Sequence, residues 1–211
     1  MLGRLSPFYY RTSSEPEKWG CKLEVNRDES LVNTPADNDK LIIAGSGNVA
    51  WNIYKIAAIL GYRITVIDHR AITLTRERFP EASELLWGDV VALLRACDID
   101  ETTSIVLATY NHEFDPPALH AVIKSPARYI GILGNKRKVT AYFSQLKISG
   151  IADELLERVH LPIGLDIGGQ TAAEIALATV AEIQAVKYRR CGGFISVKRK
   201  SEVFEKHDEL F

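Results

Sequence analysis

Two periods of apolar residues alternate along this chain. Short, largely β-branched apolar runs recur at 41–44, 63–67, 84–87, 104–109 and 128–133, with a sixth at 159–163. Between them lie stretches whose apolar residues return every three or four positions. Continuous apolar runs mark strands buried on both faces, and the longer period marks helices that cover them. The alternation predicts successive βαβ units: an α/β, Rossmann-like doubly wound fold, with a mostly parallel sheet and helices on both faces.

The predicted helices carry their own punctuation. The segment opening at Asn48 closes on Gly61, which suits a left-handed C-terminal cap. Asp89 stands where it can cap the helix over 90–96, and Asp115-Pro116 opens another, because proline in a first turn gives up only an N–H that would be unpaired anyway. Thr171-Ala172-Ala173-Glu174 is a capping box ahead of a long, core-facing helix bearing Ile175, Ala178, Ile183 and Val186. The pattern fades at both ends. Residues 1–40 read as an N-terminal arm or small subdomain, 41–187 as the nucleotide- or cofactor-binding domain, and 188–211 as a C-terminal tail.

Composition narrows the function classes. With 211 residues, 46% of them hydrophobic and 25% charged, the chain can bury one sizeable core. A net charge of −1 supplies no global field toward nucleic acid or an anionic membrane, so any anion site must be local. No apolar run approaches the roughly 20 residues that span a bilayer, and the first residues lack the apolar core of a secretory signal. The expected location is the cytoplasm. Cys21, Cys97 and Cys191 are odd in number and widely spaced, which argues against a disulfide framework or a structural zinc site. No Gly-x-Ser-x-Gly elbow, His-Glu-x-x-His pair or Walker-type lysine is present, so hydrolase, metalloprotease and P-loop readings lack their usual parts.

Candidate chemistry gathers just after the predicted strands, where ligands bind in open parallel sheets. The first strand runs into Gly45-Ser46-Gly47-Asn48-Val49-Ala50, a Gly-x-Gly-x-x-Ala turn that opens a helix. Gly45 permits the tight turn, Gly47 lets backbone approach a phosphate, and Ala50 allows close packing. Asp68 follows Gly47 by 21 residues, the offset expected of a ribose 2′-hydroxyl acceptor, while Arg70 would suit a phosphate there instead. His112, after the fourth strand, reads either as an acid–base group or ligand donor, or as a solvated loop residue. Asp115 reads as a helix cap. After the fifth strand, Gly134 precedes Lys136-Arg137-Lys138, which is either a phosphate clamp or a solvated charge run. Beyond the sixth comes a glycine-dense loop with Gly164, Asp166 and Gly168, in which Asp166 reads equally as a ligand group or as a structural aspartate. His160 reads as a satisfied core histidine.

Four phrases in this order resemble the Rossmann domain of the XdhC/CoxI family, the accessory factors of xanthine dehydrogenase and related molybdenum hydroxylases. They are Gly45-Ser46-Gly47-Asn48-Val49-Ala50 with Val66-Ile67-Asp68-His69-Arg70, then Arg78-Phe79-Pro80, then the stretch from Tyr129 to Lys138, and lastly Pro162-Ile163-Gly164-Leu165-Asp166-Ile167-Gly168 with Thr171 and Glu174-Ile175-Ala176. The resemblance implies a non-catalytic protein that binds molybdenum cofactor, as molybdopterin or its dinucleotide form. It would protect the cofactor during sulfuration by a cysteine desulfurase and help insert it into a molybdenum hydroxylase such as xanthine dehydrogenase. It further implies that the glycine turn and Lys136-Arg137-Lys138 face the phosphate end, with His112 and the loop at 164–169 nearer the pterin or metal. Cys21 or Cys191 would serve sulfur handling or be idle thiols. Two other readings stand beside it: an NAD(P)-dependent oxidoreductase with His112 as its catalytic acid–base group, and a nucleotide-sensing regulatory domain. Neither nucleic acid nor membrane is an expected partner, no metal ligands are assigned, and an exposed arm and tail suit a homodimer.

Overall fold

Strand β1 (Lys40–Ala44) lies inside a six-stranded sheet, with β2 (Arg63–Asp68) on one side and β4 (Thr103–Leu107) on the other. The computed structural model describes residues 39–110, 114–134, 139–148 and 150–195, so His112, Lys136, Arg137, Lys138 and Cys21 lie outside the described residues. The remaining strands are β3 (Glu84–Trp87), β5 (Tyr129–Ile132) and β6 (Val159–His160), and the order is β3-β2-β1-β4-β5-β6. All five pairings are parallel. The chain winds outward from β1 in one direction and, from β4, in the other. The topological switch point therefore falls between the C-terminal ends of β1 and β4.

Helices cover both faces, as the two periods require. Helices α1 (Asn48–Ile59) and α6 (Ala172–Lys187) pack together over one face, where Ile53, Tyr54, Phe79, Tyr129 and Ile183 bury against Ile43, Ile64 and Val106. On the other face α2 (Val90–Ala96) and α3 (Asp115–Val122) pack together, joined by α4 (Val139–Ile148) and α5 (Asp153–Leu156). Leu94, Leu119, Leu146 and Leu156 there cover Ile42, Ile67, Ile105 and Ile130. Ile43, Ile64, Ile105 and Leu107 are fully enclosed, which is why these strands read as unbroken apolar runs.

The caps follow the local chemistry. Asp89 accepts the Ala92 N–H at 2.6 Å, and Thr171 and Glu174 form the reciprocal capping box. Gly61, at φ +77°, ends α1, with the Tyr62 N–H bonded back to the Ala57 carbonyl. Asp115 departs from its expected place. Phe114 is the cap residue of α3 and makes no side-chain cap bond, while Asp115 is the first helical residue and its buried carboxylate accepts the Thr109 hydroxyl. The sheet also takes in Lys40, and Asp39 is built into the fold: its carboxylate pairs with Arg128 and Lys187, tying the starts of β1 and β5 to the end of α6. Beyond α6 the chain turns at Arg189, in the left-handed region, and brings Gly192 against Leu165.

Candidate functional site

The C-terminal end of β1 runs into the glycine turn, whose two glycines do different work. Gly45 sits at φ +128°, and a Cβ there would overlap the Ala108 carbonyl oxygen at the end of β4. Its N–H donates to the Ile67 carbonyl at 2.7 Å. Gly45 thus lets β1, β2 and β4 converge at the switch point. Gly47 has ordinary extended geometry at the start of α1, and a Cβ there would meet nothing within 4 Å. That open space faces a helix end with no side-chain cap and no acidic residue in its first turn. Unpaired N–H groups and the positive end of the helix dipole together favour an anion at such a position.

Ser46, between the glycines, is buried and is gripped by Asp68. Asp68 Oδ2 accepts both the Ser46 N–H at 2.7 Å and the Ser46 hydroxyl at 2.6 Å. The same carboxylate accepts the Arg70 N–H and Nε–H on Oδ1 and the Nη2–H on Oδ2 at 2.9 Å. His69 Nδ1 lies 3.4 Å from Oδ1. Burial by itself would raise the Asp68 carboxyl, but the bonds from Arg70 and Ser46 outweigh it and hold it at about 2. With a side chain only 2% exposed, Asp68 has both oxygens engaged by the protein itself. A ribose hydroxyl would have to displace these partners to reach it.

Arg70 extends this bracing across the crevice, its guanidinium stacking on the Tyr110 ring beyond β4 at 4.6 Å. His69 stacks on Phe114 at 5.5 Å, and the Trp87 indole N–H donates to the His69 carbonyl. These contacts draw the β2 and β4 ends together. The crevice among Gly45, Asp68, His69, Thr109, Tyr110 and Phe114 encloses about 10 Å³, room for little more than a water.

Arg78, which the sequence pattern alone leaves without a role, reaches the open helix end. Its Nη2–H donates to Asn48 Oδ1 at 3.1 Å, and its carbonyl accepts the Trp51 indole N–H at 3.0 Å. Thus the first residue of α1 and the next turn of the same helix hold it from both ends. The available signal was Phe79-Pro80 after it: buried Phe79 packs edge-on against Tyr54 at 5.0 Å and fixes the backbone that carries Arg78.

The remaining predicted residues lie on the later strands. Gly134 lies two residues beyond β5, where a Cβ would press on the Leu161 side chain. Gly164 sits at φ +105° with no room against Ala178 and Thr179 of α6, and its N–H donates to Glu182 Oε2 at 2.9 Å. Glu182 also accepts the Tyr129 hydroxyl at 2.6 Å and pairs with His160 Nδ1 at 3.2 Å. Burial pushes the Glu182 carboxyl up, but His160, Tyr129 and the Gly164 N–H bring it below the usual range. His160, stacked on Tyr129 and paired with Glu182, is satisfied as expected, but it is half-buried on the edge strand rather than in the core. Asp166 and Gly168 are exposed on the same loop, and nothing lies within 4 Å of a Cβ on Gly168. Gly45, Ser46, Gly47, Asn48, Asp68, Arg70 and Arg78 thus come together around one strand end, whereas Gly164 stands against α6.

Among the described residues no three His, Cys, Asp or Glu side chains converge as metal ligands, and no helix is long and apolar enough to cross a membrane. Cys97 is half-buried, and burial together with Glu84 pushes its thiol up, away from the reactive thiolate.

The chain is similar to known proteins. The chain is 36% identical over 157 residues to the uncharacterized protein YqeB of Escherichia coli, covering 74% of this chain and 29% of that protein. It is 26% identical to a probable xanthine dehydrogenase subunit of Bacillus subtilis, over 71% of this chain and 43% of that protein. It is 25% identical to the molybdenum cofactor insertion chaperone PaoD of Escherichia coli, over 47% of this chain and 31% of that protein. The chain thus spans less than half the length of these relatives. A crystal structure described as a xanthine dehydrogenase from Bacillus halodurans superposes with a TM-score of 0.63 at 28% identity, covering 72% of this chain and 43% of that one. The XdhC Rossmann domain model matches residues 41–183, so the chain belongs to the XdhC Rossmann domain family.

Proposed function

We propose that this chain is the cofactor-cradling domain of an accessory protein in molybdenum hydroxylase maturation, which holds molybdenum cofactor by its phosphate end and acts by binding. The observation that carries this reading is the open, uncapped start of α1 at Gly47, with Arg78 fastened to Asn48 beside it. Backbone N–H groups and a guanidinium converging on one point suit a phosphate. The name of the PaoD relative, a molybdenum cofactor insertion chaperone, supports assigning that phosphate to this cofactor.

In this reading Gly47, Asn48 and Arg78 hold the phosphate, and Lys136, Arg137 and Lys138, beyond Gly134, add a second clamp. His112 and the loop carrying Gly164, Asp166 and Gly168 face the pterin. The domain shelters the cofactor while a cysteine desulfurase sulfurates it and hands it to a hydroxylase of the xanthine dehydrogenase type, in the cytoplasm. The NAD(P)-dependent oxidoreductase reading depends on a free acceptor at Asp68 and on space in the switch-point crevice. The saturated carboxylate and the water-sized void weigh against both.

Mass spectrometry of the ligand retained after separate incubation with molybdenum cofactor and with NAD(P) tests the assignment. Retention of the pterin at micromolar affinity or tighter, about −8 kcal/mol, is expected; retention of the nicotinamide dinucleotide alone would overturn it. Gly47→Val is expected to abolish retention while changing stability by no more than about 0.5 kcal/mol, since its backbone is unstrained and its Cβ meets open space.

A further inference from the structure

Among the described residues, two hollows border the start of α1, and they differ in room. Toward the switch point lies the crevice of about 10 Å³, bridged by the Arg70–Tyr110 and His69–Phe114 contacts. Toward the outer side of α1 lies a groove of about 570 Å³, between that helix and residues 77–81. Small-molecule sites run from about 300 to 1,000 Å³, so the groove is of ligand size and the crevice is not. Asn48 lines the groove, so it begins where the proposed phosphate position ends.

Its chemistry is specific. The Trp51 indole is fixed by its N–H bond to the Arg78 carbonyl, with the Lys55 ammonium 3.7 Å from the ring centroid and the Arg78 guanidinium at 5.5 Å. Among the described residues neither cation has a carboxylate partner, although Glu77 and Glu81 also line the groove. Arg78 Nε is enclosed without a hydrogen-bond acceptor. The Tyr54 hydroxyl, accepting the Glu81 N–H at 2.7 Å, keeps its own proton to donate. Lys55 is exposed on a long flexible stem and can leave the ring face for an anion when a flat group takes its place. An aromatic platform flanked by unneutralised cations is what a base and its phosphate require together.

We propose that this groove is a nucleoside-phosphate subsite, with Trp51 as platform and Lys55 and Arg78 as cations, which takes the nucleotide half of a dinucleotide ligand whose phosphate rests at the start of α1. The inference rests on the phosphate reading above and specifies the dinucleotide form of the cargo. It also places the nucleotide outside the switch-point crevice where this fold usually receives one.

Isothermal titration of the full chain with inorganic pyrophosphate and with CDP, GDP and ADP isolates the nucleoside, because all four present a diphosphate. At least one nucleoside diphosphate is expected to bind tenfold or more tighter than pyrophosphate. Lys55→Gln, an exposed substitution that leaves packing intact, is expected to remove most of that gain while pyrophosphate binding changes little. Trp51→Leu, checked for folding by circular dichroism, is expected to do the same. If pyrophosphate binds and no nucleoside diphosphate improves on it tenfold, the groove is not the subsite and the phosphate reading stands. A gain that survives both substitutions puts the nucleoside elsewhere and overturns the inference as well. If pyrophosphate itself fails to bind, the phosphate reading falls and takes the inference with it.

Discussion

Two glycine-bearing loops in this domain are each pinned by a carboxylate that comes from a different element, fully buried in one case and half-buried in the other. Asp68, at the end of β2, receives the Ser46 N–H of the turn after β1, and Glu182, on α6, receives the Gly164 N–H of the loop after β6. The difference lies in what else each acid holds. Asp68 also grips Arg70, which reaches across to Tyr110, so its effect extends over the switch point. Glu182 also grips Tyr129 and His160, so its effect stays between β5, β6 and α6. One acid braces the mouth of the proposed site, and the other fastens a loop to the scaffold behind it. A shared motif of glycine loop and carboxylate therefore serves two ends, according to which third residue completes it.

The most disruptive way to break the comparison is at Gly45. Gly45→Ala forces a side chain into the left-handed region and into the Ala108 carbonyl, and is expected to cost about 4 kcal/mol or more, read as loss of the folding transition in urea. Asp68→Asn keeps the shape but leaves Arg70 without its charge partner. A loss of about 3 kcal/mol in chemical denaturation is expected, with weaker phosphate binding because the Ser46 turn loosens. Glu182→Gln retains an acceptor for two of the three donors, the Tyr129 hydroxyl and the Gly164 N–H that share Oε2, and should cost about 1–2 kcal/mol through loss of the His160 pairing without weakening phosphate binding at α1. If Glu182→Gln impairs phosphate binding as much as Asp68→Asn does, the two loops form one site and the contrast collapses.

Acid sharpens the same contrast. The Asp68 carboxyl lies near 2 in the folded chain against 3.8 ordinarily, so its stabilising contribution is complete above pH 4 and disappears as pH falls toward 2. That difference corresponds to about 2 kcal/mol. Glu182 and Asp39 are depressed as well and add loss in the same direction. Thermal unfolding from pH 6 to pH 2.5 is expected to show a steady fall in stability that is shallower in Asp68→Asn. Equal slopes in the two proteins would show that the Asp68 bonds do not contribute as the geometry implies.

Much of the architecture was legible in local pattern. The apolar runs found β1 to β5 to within two residues, and the caps at Asp89, Gly61 and Thr171 followed from side-chain chemistry that acts within one turn. Misplacement began where a partner came from elsewhere. The Asp115 carboxylate accepts the Thr109 hydroxyl rather than capping its own helix, and the predicted sixth strand is shortened to Val159–His160. The candidate site was half visible. Gly45, Gly47 and Asp68 stood at the expected spacings, but Arg78, 31 residues beyond Gly47, offered no periodicity to tie it to Asn48.

Strand and helix, the parallel sheet, the switch point after β1 and the family membership all follow from hydrophobic period and short motifs, because these act between neighbours along the chain. Packing alone decided that Asp68 is saturated by Ser46 and Arg70, that Gly45 is sterically obligatory while Gly47 is open, and that the roomy groove lies beside Trp51 rather than in the crevice between β1 and β4. Free space and unfilled hydrogen-bonding capacity depend on everything that surrounds a group, and those surroundings exist only once distant segments have met.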